Sequence, residues 1–156
     1  MRSAQEKRRV TCGSLSNSII IGIKSARGGM EGTVSRQKVL IVDDEESIRY
    51  TFSRFLTDEG YEAVTARSYD EALARIDETD FDIIFADIIL GGKSGIDILR
   101  EVKKRNLGCP VIMITGDPSA ENAHIAFQLG AFGHISKPVN QEKLLHLTRT
   151  ALGKKH

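Results

Sequence analysis

Phe81-Asp82-Ile83-Ile84-Phe85-Ala86-Asp87 is the stretch whose reading decides the fold. Ile83 to Ala86 are apolar without interruption, which predicts a short strand buried on both faces rather than an alternating, half-wet one. A carboxylate, Asp87, then ends the run. Ile88, Ile89 and Leu90 follow, and Gly91-Gly92 turns the chain. A charge closing a buried strand is costly unless it meets a cation or performs chemistry.

The same grammar repeats on either side. Lys38 to Val42 is a β-branched apolar run that predicts a central strand, closed by Asp43-Asp44-Glu45-Glu46. Those acids suit the positive end of a helix dipole. The helix is predicted to reach about Glu59, with Ile48, Phe52, Phe55 and Leu56 on one face and Gly60 as its stop. Tyr61 to Ala66 reads as a second strand. Ser68 with Glu71 predicts a capping box for a second helix through Ala72, Leu73 and Ile76. After the third strand, Ser94 with Asp97 caps a third helix that Lys103, Lys104 and Arg105 close. Pro110 to Ile114 is the fourth strand, and Asp117-Pro118 reads as the cap and first residue of a fourth helix ending at Gly130. Phe132 to Ile135 is the fifth strand. Asn140 caps a fifth helix whose inner face is Leu144, Leu147 and Ala151. Five strands alternating with five helices through short connections predict an α/β fold: a doubly wound, five-stranded parallel sheet with helices on both faces.

Composition bounds the function. The 156 residues are 40% hydrophobic and 28% charged, an ordinary globular balance. The net charge of +1 hides an asymmetry: residues 1–37 carry seven Lys/Arg against Glu6 and Glu31, so the remainder is net acidic. An acidic body argues against nucleic-acid binding by bulk charge. Residues 1–36 read as a basic, disordered leader. A basic arm for nucleic acid or membrane, and a true start at Met30, are the other readings. Ile19-Ile20-Ile21-Gly22-Ile23 is too short for a secretory signal core, and no run suits a membrane span. Cys12 and Cys109 stand far apart, so reduced thiols and a cytoplasmic protein are expected.

Ligands on such sheets bind beyond the carboxyl ends of the strands. The residues delivered there are Asp43 and Asp44 after strand one, Asp87 after strand three, Thr115 after strand four and Lys137 after strand five. Three carboxylates close together repel, and a hard cation such as Mg²⁺ relieves that. A hydroxyl and an ammonium beside the ion suit phosphoryl oxygens. The set reads as Mg²⁺-assisted phosphoryl transfer with Asp87 as nucleophile.

Val42-Asp43-Asp44, Ala86-Asp87, Ile114-Thr115-Gly116 and Ser136-Lys137-Pro138, each after its own strand, resemble the receiver domain of two-component response regulators. The resemblance covers about residues 37–153, leaving 154–156 as a tail. It implies a flavodoxin-like strand order 2-1-3-4-5. It implies that Asp87 accepts a phosphoryl group, as 4-aspartylphosphate, from a sensor histidine kinase or histidine phosphotransfer protein. It also implies that Asp44, Asp87 and the Ile89 backbone carbonyl bind Mg²⁺ directly, with Asp43 acting through water. Thr115 and Lys137 would hold the phosphoryl group, and the Lys137–Pro138 bond would be cis. His134 stands where many receivers carry a Tyr or Phe that turns inward as Thr115 moves. An imidazole there adds a charge that can change near neutral pH, and a half-exposed strand histidine is the plainer reading. Ile89 places an apolar group near the acyl phosphate, which predicts a long-lived phospho state.

With only His156 and a few residues after the fifth helix, no DNA-binding domain is expected. The output is then a protein contact on the face of helix four, strand five and helix five, or onward transfer to another histidine protein as a phosphorelay intermediate. On this reading the chain is a switch and not an enzyme, catalysing only its own phosphorylation and dephosphorylation. A flavin carrier would need a Ser/Thr-rich loop where four acids stand. A Mg²⁺-dependent aspartyl-phosphate hydrolase would need a second Asp where Ile89 stands.

Overall fold

The computed structural model describes residues 36–116 and 120–153. The strands are β1 (Lys38–Val42), β2 (Glu62–Ala66), β3 (Ile83–Asp87), β4 (Val111–Thr115) and β5 (Gly133–Ser136). Between and after them run α1 (Glu46–Asp58), α2 (Tyr69–Glu78), α3 (Gly95–Lys104), α4 (Ala120–Gln128) and α5 (Gln141–Ala151). All pairings are parallel, in the order β2-β1-β3-β4-β5. The leader, Met30, the Asp117-Pro118 cap and the tail fall outside the described residues.

Alternation along each strand builds two cores, because successive side chains point to opposite faces. Leu40, Val42, Ile84, Ala86 and Met113 pack on one side with Ala72, Ile76, Ile98, Leu99 and Val102. Val39, Ile41, Ile83, Phe85, Ile112 and Ile114 pack on the other with Phe52, Leu56, Leu144 and Leu145. Phe52 meets Phe85 edge to face at 5.7 Å between ring centroids. Burial of each large side chain contributes about 1.5–3 kcal/mol, so β3, buried at every position, anchors the sheet.

The boundaries show where local reading runs short. The continuous apolar pattern holds for β1, β3 and β4, whereas β2 and β5 are edge strands and only partly buried. Glu71 does not complete a capping box. Ser68 Oγ accepts from Glu71 N at 3.1 Å, but the Glu71 carboxylate accepts from Arg67 N, one residue before the cap. Ser94 and Asp97 do reciprocate: Ser94 Oγ accepts from Ile96 N, and Asp97 Oδ2 from Ser94 N at 2.9 Å. The buried face of α5 is Leu144, Leu145 and Thr148, with Leu147 and Ala151 half-buried at its margin. Thr148 buries without an orphan hydroxyl because Oγ1 donates to the Leu144 carbonyl at 2.7 Å. Gly60 and Gly130 end their helices at φ +94° and +99°, the left-handed region glycine enters freely.

Candidate functional site

The carboxyl ends of β1, β3, β4 and β5 converge on one cluster. Asp43 immediately follows β1 and is fully buried, while its neighbour Asp44 is exposed. Asp87 is the last residue of β3 and only 4% exposed. One oxygen from each of Asp43, Asp44 and Asp87 lies within 4.8 Å of the others. Lys137, just beyond β5, reaches across: its Nζ donates to Asp87 Oδ2 at 3.0 Å and to Glu45 Oε1 at 3.2 Å. It also sits 3.2 Å from Asp43 Oδ2. Thr115 ends β4 and is buried, and its carbonyl accepts from Lys137 N at 2.8 Å. The Lys137–Pro138 peptide is cis.

Local structure fixes these groups. Asp43 Oδ1 accepts from Glu45 N at 2.8 Å, and Arg49 Nη1 donates to the Asp43 carbonyl at 2.8 Å, so the turn into α1 is tied at both ends. This is why α1 has no side-chain N-cap: the acids at its start serve the cluster instead. Asp87 Oδ1 accepts from Ile89 N at 2.9 Å, which leaves Oδ2 toward Lys137. Ile89 itself is 62% exposed.

The electrostatics carry a cost. Burial, aided by the nearby Asp87 charge, pushes the Asp43 carboxyl up to about 6, against the opposing hydrogen bond from Glu45 N and the Lys137 charge. Burial alone would pull the Lys137 ammonium down. The hydrogen bond to Asp87, the charges of Asp43 and Asp87 and the Glu45 hydrogen bond outweigh it and hold its pKa above the ordinary value. Asp43 Oδ2 is buried with no hydrogen-bond donor; Lys137 is near but not aligned with it. An orphaned buried oxygen beside two other carboxylates is what a hard cation would satisfy, so these residues fit Mg²⁺.

Among the residues singled out in the sequence, Asp43, Asp44, Asp87 and Lys137 form one cluster, with Thr115 at its base through the backbone. His134 stands apart: it is exposed on β5, pointing away from the face that buries Ile135. Three contributors escaped the sequence reading. Glu45, read only as a helix-start acid, bonds a lysine 92 positions away. Arg49 gives no motif signal. Gly95 sits against β3: a Cβ there would collide with the carbonyl oxygen of Asp87, so α3 can approach β3 only through glycine.

Residues 39–149 match the family model described as the response regulator receiver domain. Nitrogen assimilation regulatory protein NtrX of Azorhizobium caulinodans is 41% identical over 116 residues, covering 73% of this chain and 26% of that protein. The chain therefore spans about a quarter of that relative's length. A CheY-like receiver domain protein from Methanospirillum hungatei superposes with a TM-score of 0.73 at 35% identity, covering 77% of this chain and 96% of the other. The receiver domain of NtrX from Brucella abortus superposes with a TM-score of 0.70 at 38% identity, covering 76% and 99%. No helix among the described residues is long and apolar enough to cross a membrane.

Proposed function

The chain belongs to the response regulator receiver domain family, and on that footing we propose that it is a signalling switch that accepts one phosphoryl group on Asp87. The observation that carries the reading is the meeting of Asp43, Asp44 and Asp87 oxygens within 4.8 Å, with the Lys137 ammonium 3.0 Å from Asp87. The donor is a phosphohistidine on a kinase or phosphotransfer protein. An Asp87 carboxylate oxygen attacks phosphorus as the phosphorus–nitrogen bond breaks, and the imidazole leaves with the electron pair.

Asp43, Asp44 and Asp87, with the Ile89 carbonyl, would hold Mg²⁺. Bound there, Mg²⁺ would supply positive charge for the carboxylates and the phosphoryl oxygens. Lys137 already faces the acceptor oxygen, so its ammonium meets the incoming phosphoryl group with little rearrangement. The Thr115 hydroxyl moves to hydrogen-bond the same group. That motion biases a two-state equilibrium of the face made by α4, β5 and α5, which a partner protein reads. Phe127 at 74% exposure, Phe132 and His134 supply exposed ring surface on α4 and along the β5 edge.

The test is incubation of the chain with Mg²⁺ and a small phosphodonor, followed by intact mass spectrometry. One added phosphoryl group is expected on the native chain and none on Asp87→Asn. Equal uptake by both would overturn the reading.

A further inference from the structure

Four carboxylates stand near one ammonium at this site, and one of them has no task in the chemistry above. Asp43, Asp44 and Asp87 are the metal-fitting set. Glu45 is outside it, on the rim, with its side chain 58% exposed, yet it shares Lys137 with the acceptor: Nζ is 3.2 Å from Glu45 Oε1 and 3.0 Å from Asp87 Oδ2. The two oxygens therefore lie no farther apart than those two distances laid end to end. A divalent cation and Lys137 would together offset three of the four negative charges, and the Arg49 guanidinium on the Asp43 carbonyl adds a cation at the root of the same turn. The Glu45 carboxylate holds its charge at the exposed end of the cluster.

We propose that Glu45 is a specificity-determining residue that discriminates among phosphodonors by charge, resisting small anionic acyl phosphates. The inference rests on the phospho-acceptor reading of Asp87. With acetyl phosphate, an Asp87 oxygen bonds to phosphorus while the phosphorus–oxygen bond breaks and acetate leaves with the electron pair. No proton moves, so the dianion must come up to the Glu45 carboxylate without neutralisation. With phosphoramidate, a monoanion at neutral pH that already carries an ammonium on phosphorus, the phosphorus–nitrogen bond breaks and ammonia leaves with the pair. That donor brings its own positive charge to the rim. A protein donor can likewise place a basic side chain against Glu45, which a free acyl phosphate cannot. Glu45 thus favours charging by a protein over charging by small metabolites. Glu45 also holds Lys137 back from full commitment to the phosphoryl site, which strengthens the same bias.

Glu45→Gln keeps the side chain's length and removes its charge. Initial phosphorylation rates of the full chain with Mg²⁺ should be measured with acetyl phosphate and with phosphoramidate, at low and at high salt. The acetyl phosphate rate is expected to rise about two- to fivefold at low salt, the range of an exposed charge interaction, with a smaller rise for phosphoramidate. At high salt the gain should largely vanish. Affinity for beryllofluoride, an anionic phosphoryl mimic that undergoes no transfer, should tighten in the same direction. Equal changes for both donors, or a gain that salt does not reduce, would overturn the gate while leaving Asp87 as acceptor. Absence of phosphoryl uptake by the native chain from either donor would overturn the acceptor reading, and the gate with it.

Discussion

Strand β3 is flanked by an aspartate at each end, and the two live under different rules. Asp82, just before the strand, is half-buried; its Oδ2 accepts from Lys38 N at 2.8 Å, and its own amide donates to the Lys38 carbonyl. It closes the sheet's amino edge with backbone partners. Asp87, five residues on, faces two other carboxylates and one ammonium. One end spends its charge on hydrogen bonds that hold the fold; the other concentrates like charge that the fold must tolerate. Stability is gathered at the amino edge and centre, and the candidate site at the carboxyl edge where the local rules are broken.

The sharpest contrast is chemical: Asp87→Asn is expected to abolish phosphoryl uptake, whereas Asp82→Ala should leave it intact, as the mass assay above would read. Gly95→Ala comes next. The added methyl meets the Asp87 carbonyl and the Met113 side chain, so overpacking of about 1–3 kcal/mol is expected in urea melts. Phosphorylation should fall further than in an equally destabilised core variant, because the displaced carbonyl belongs to Asp87, the proposed acceptor.

Asp43→Asn should go the other way. Asp43 titrates near 6 in the folded chain, above about 3.9 for an unfolded Asp. The folded state therefore binds the proton more tightly, and native stability falls as pH rises from about 4 through 6. Without divalent cations, Asp43→Asn should be more stable than the native chain at pH 7.5, by on the order of 3 kcal/mol, with the gain shrinking toward pH 4. Added Mg²⁺ should stabilise the native chain and narrow the gap. Thermal melts at both pH values, with and without Mg²⁺, check the sign, and a pH-independent difference would break the assignment.

At the amino edge, Asp82→Ala strands the Lys38 amide and should cost about 1–3 kcal/mol in the same melts, with no dependence on Mg²⁺. The smallest expected effect is kinetic. Ile89→Asn replaces an exposed apolar side chain beside Asp87 with a polar one. It should speed loss of the phosphoryl group a few-fold, about 1 kcal/mol of barrier, and an unchanged decay would remove Ile89 from the account.

Much of this was legible in the chain. Unbroken apolar runs at Lys38–Val42 and Ile83–Ala86, helical spacing at Phe52 and Leu56, and Ser94 with Asp97 carry short-range signals. Where a signal was shared between neighbours it misled. The Glu71 carboxylate accepts from Arg67 N rather than Ser68 N, and Leu145 and Thr148 displaced Leu147 and Ala151 from the centre of the buried α5 face. The residues of the candidate site could be named because each ends or follows a predicted strand, and a parallel sheet brings such positions to one edge.

The sequence by itself determined the five β–α units, their parallel assembly and the residue types at the carboxyl edge. These depend on side-chain periodicity and connection length, which are local properties. Only the tertiary structure decided that Asp43 is sealed inside while Asp44 faces water, that Lys137 bridges Glu45 and Asp87, and that Gly95 must lack a side chain. Those outcomes depend on distances between segments remote in the chain. Two adjacent aspartates look alike in sequence until the sheet's packing puts one on each side of the solvent boundary.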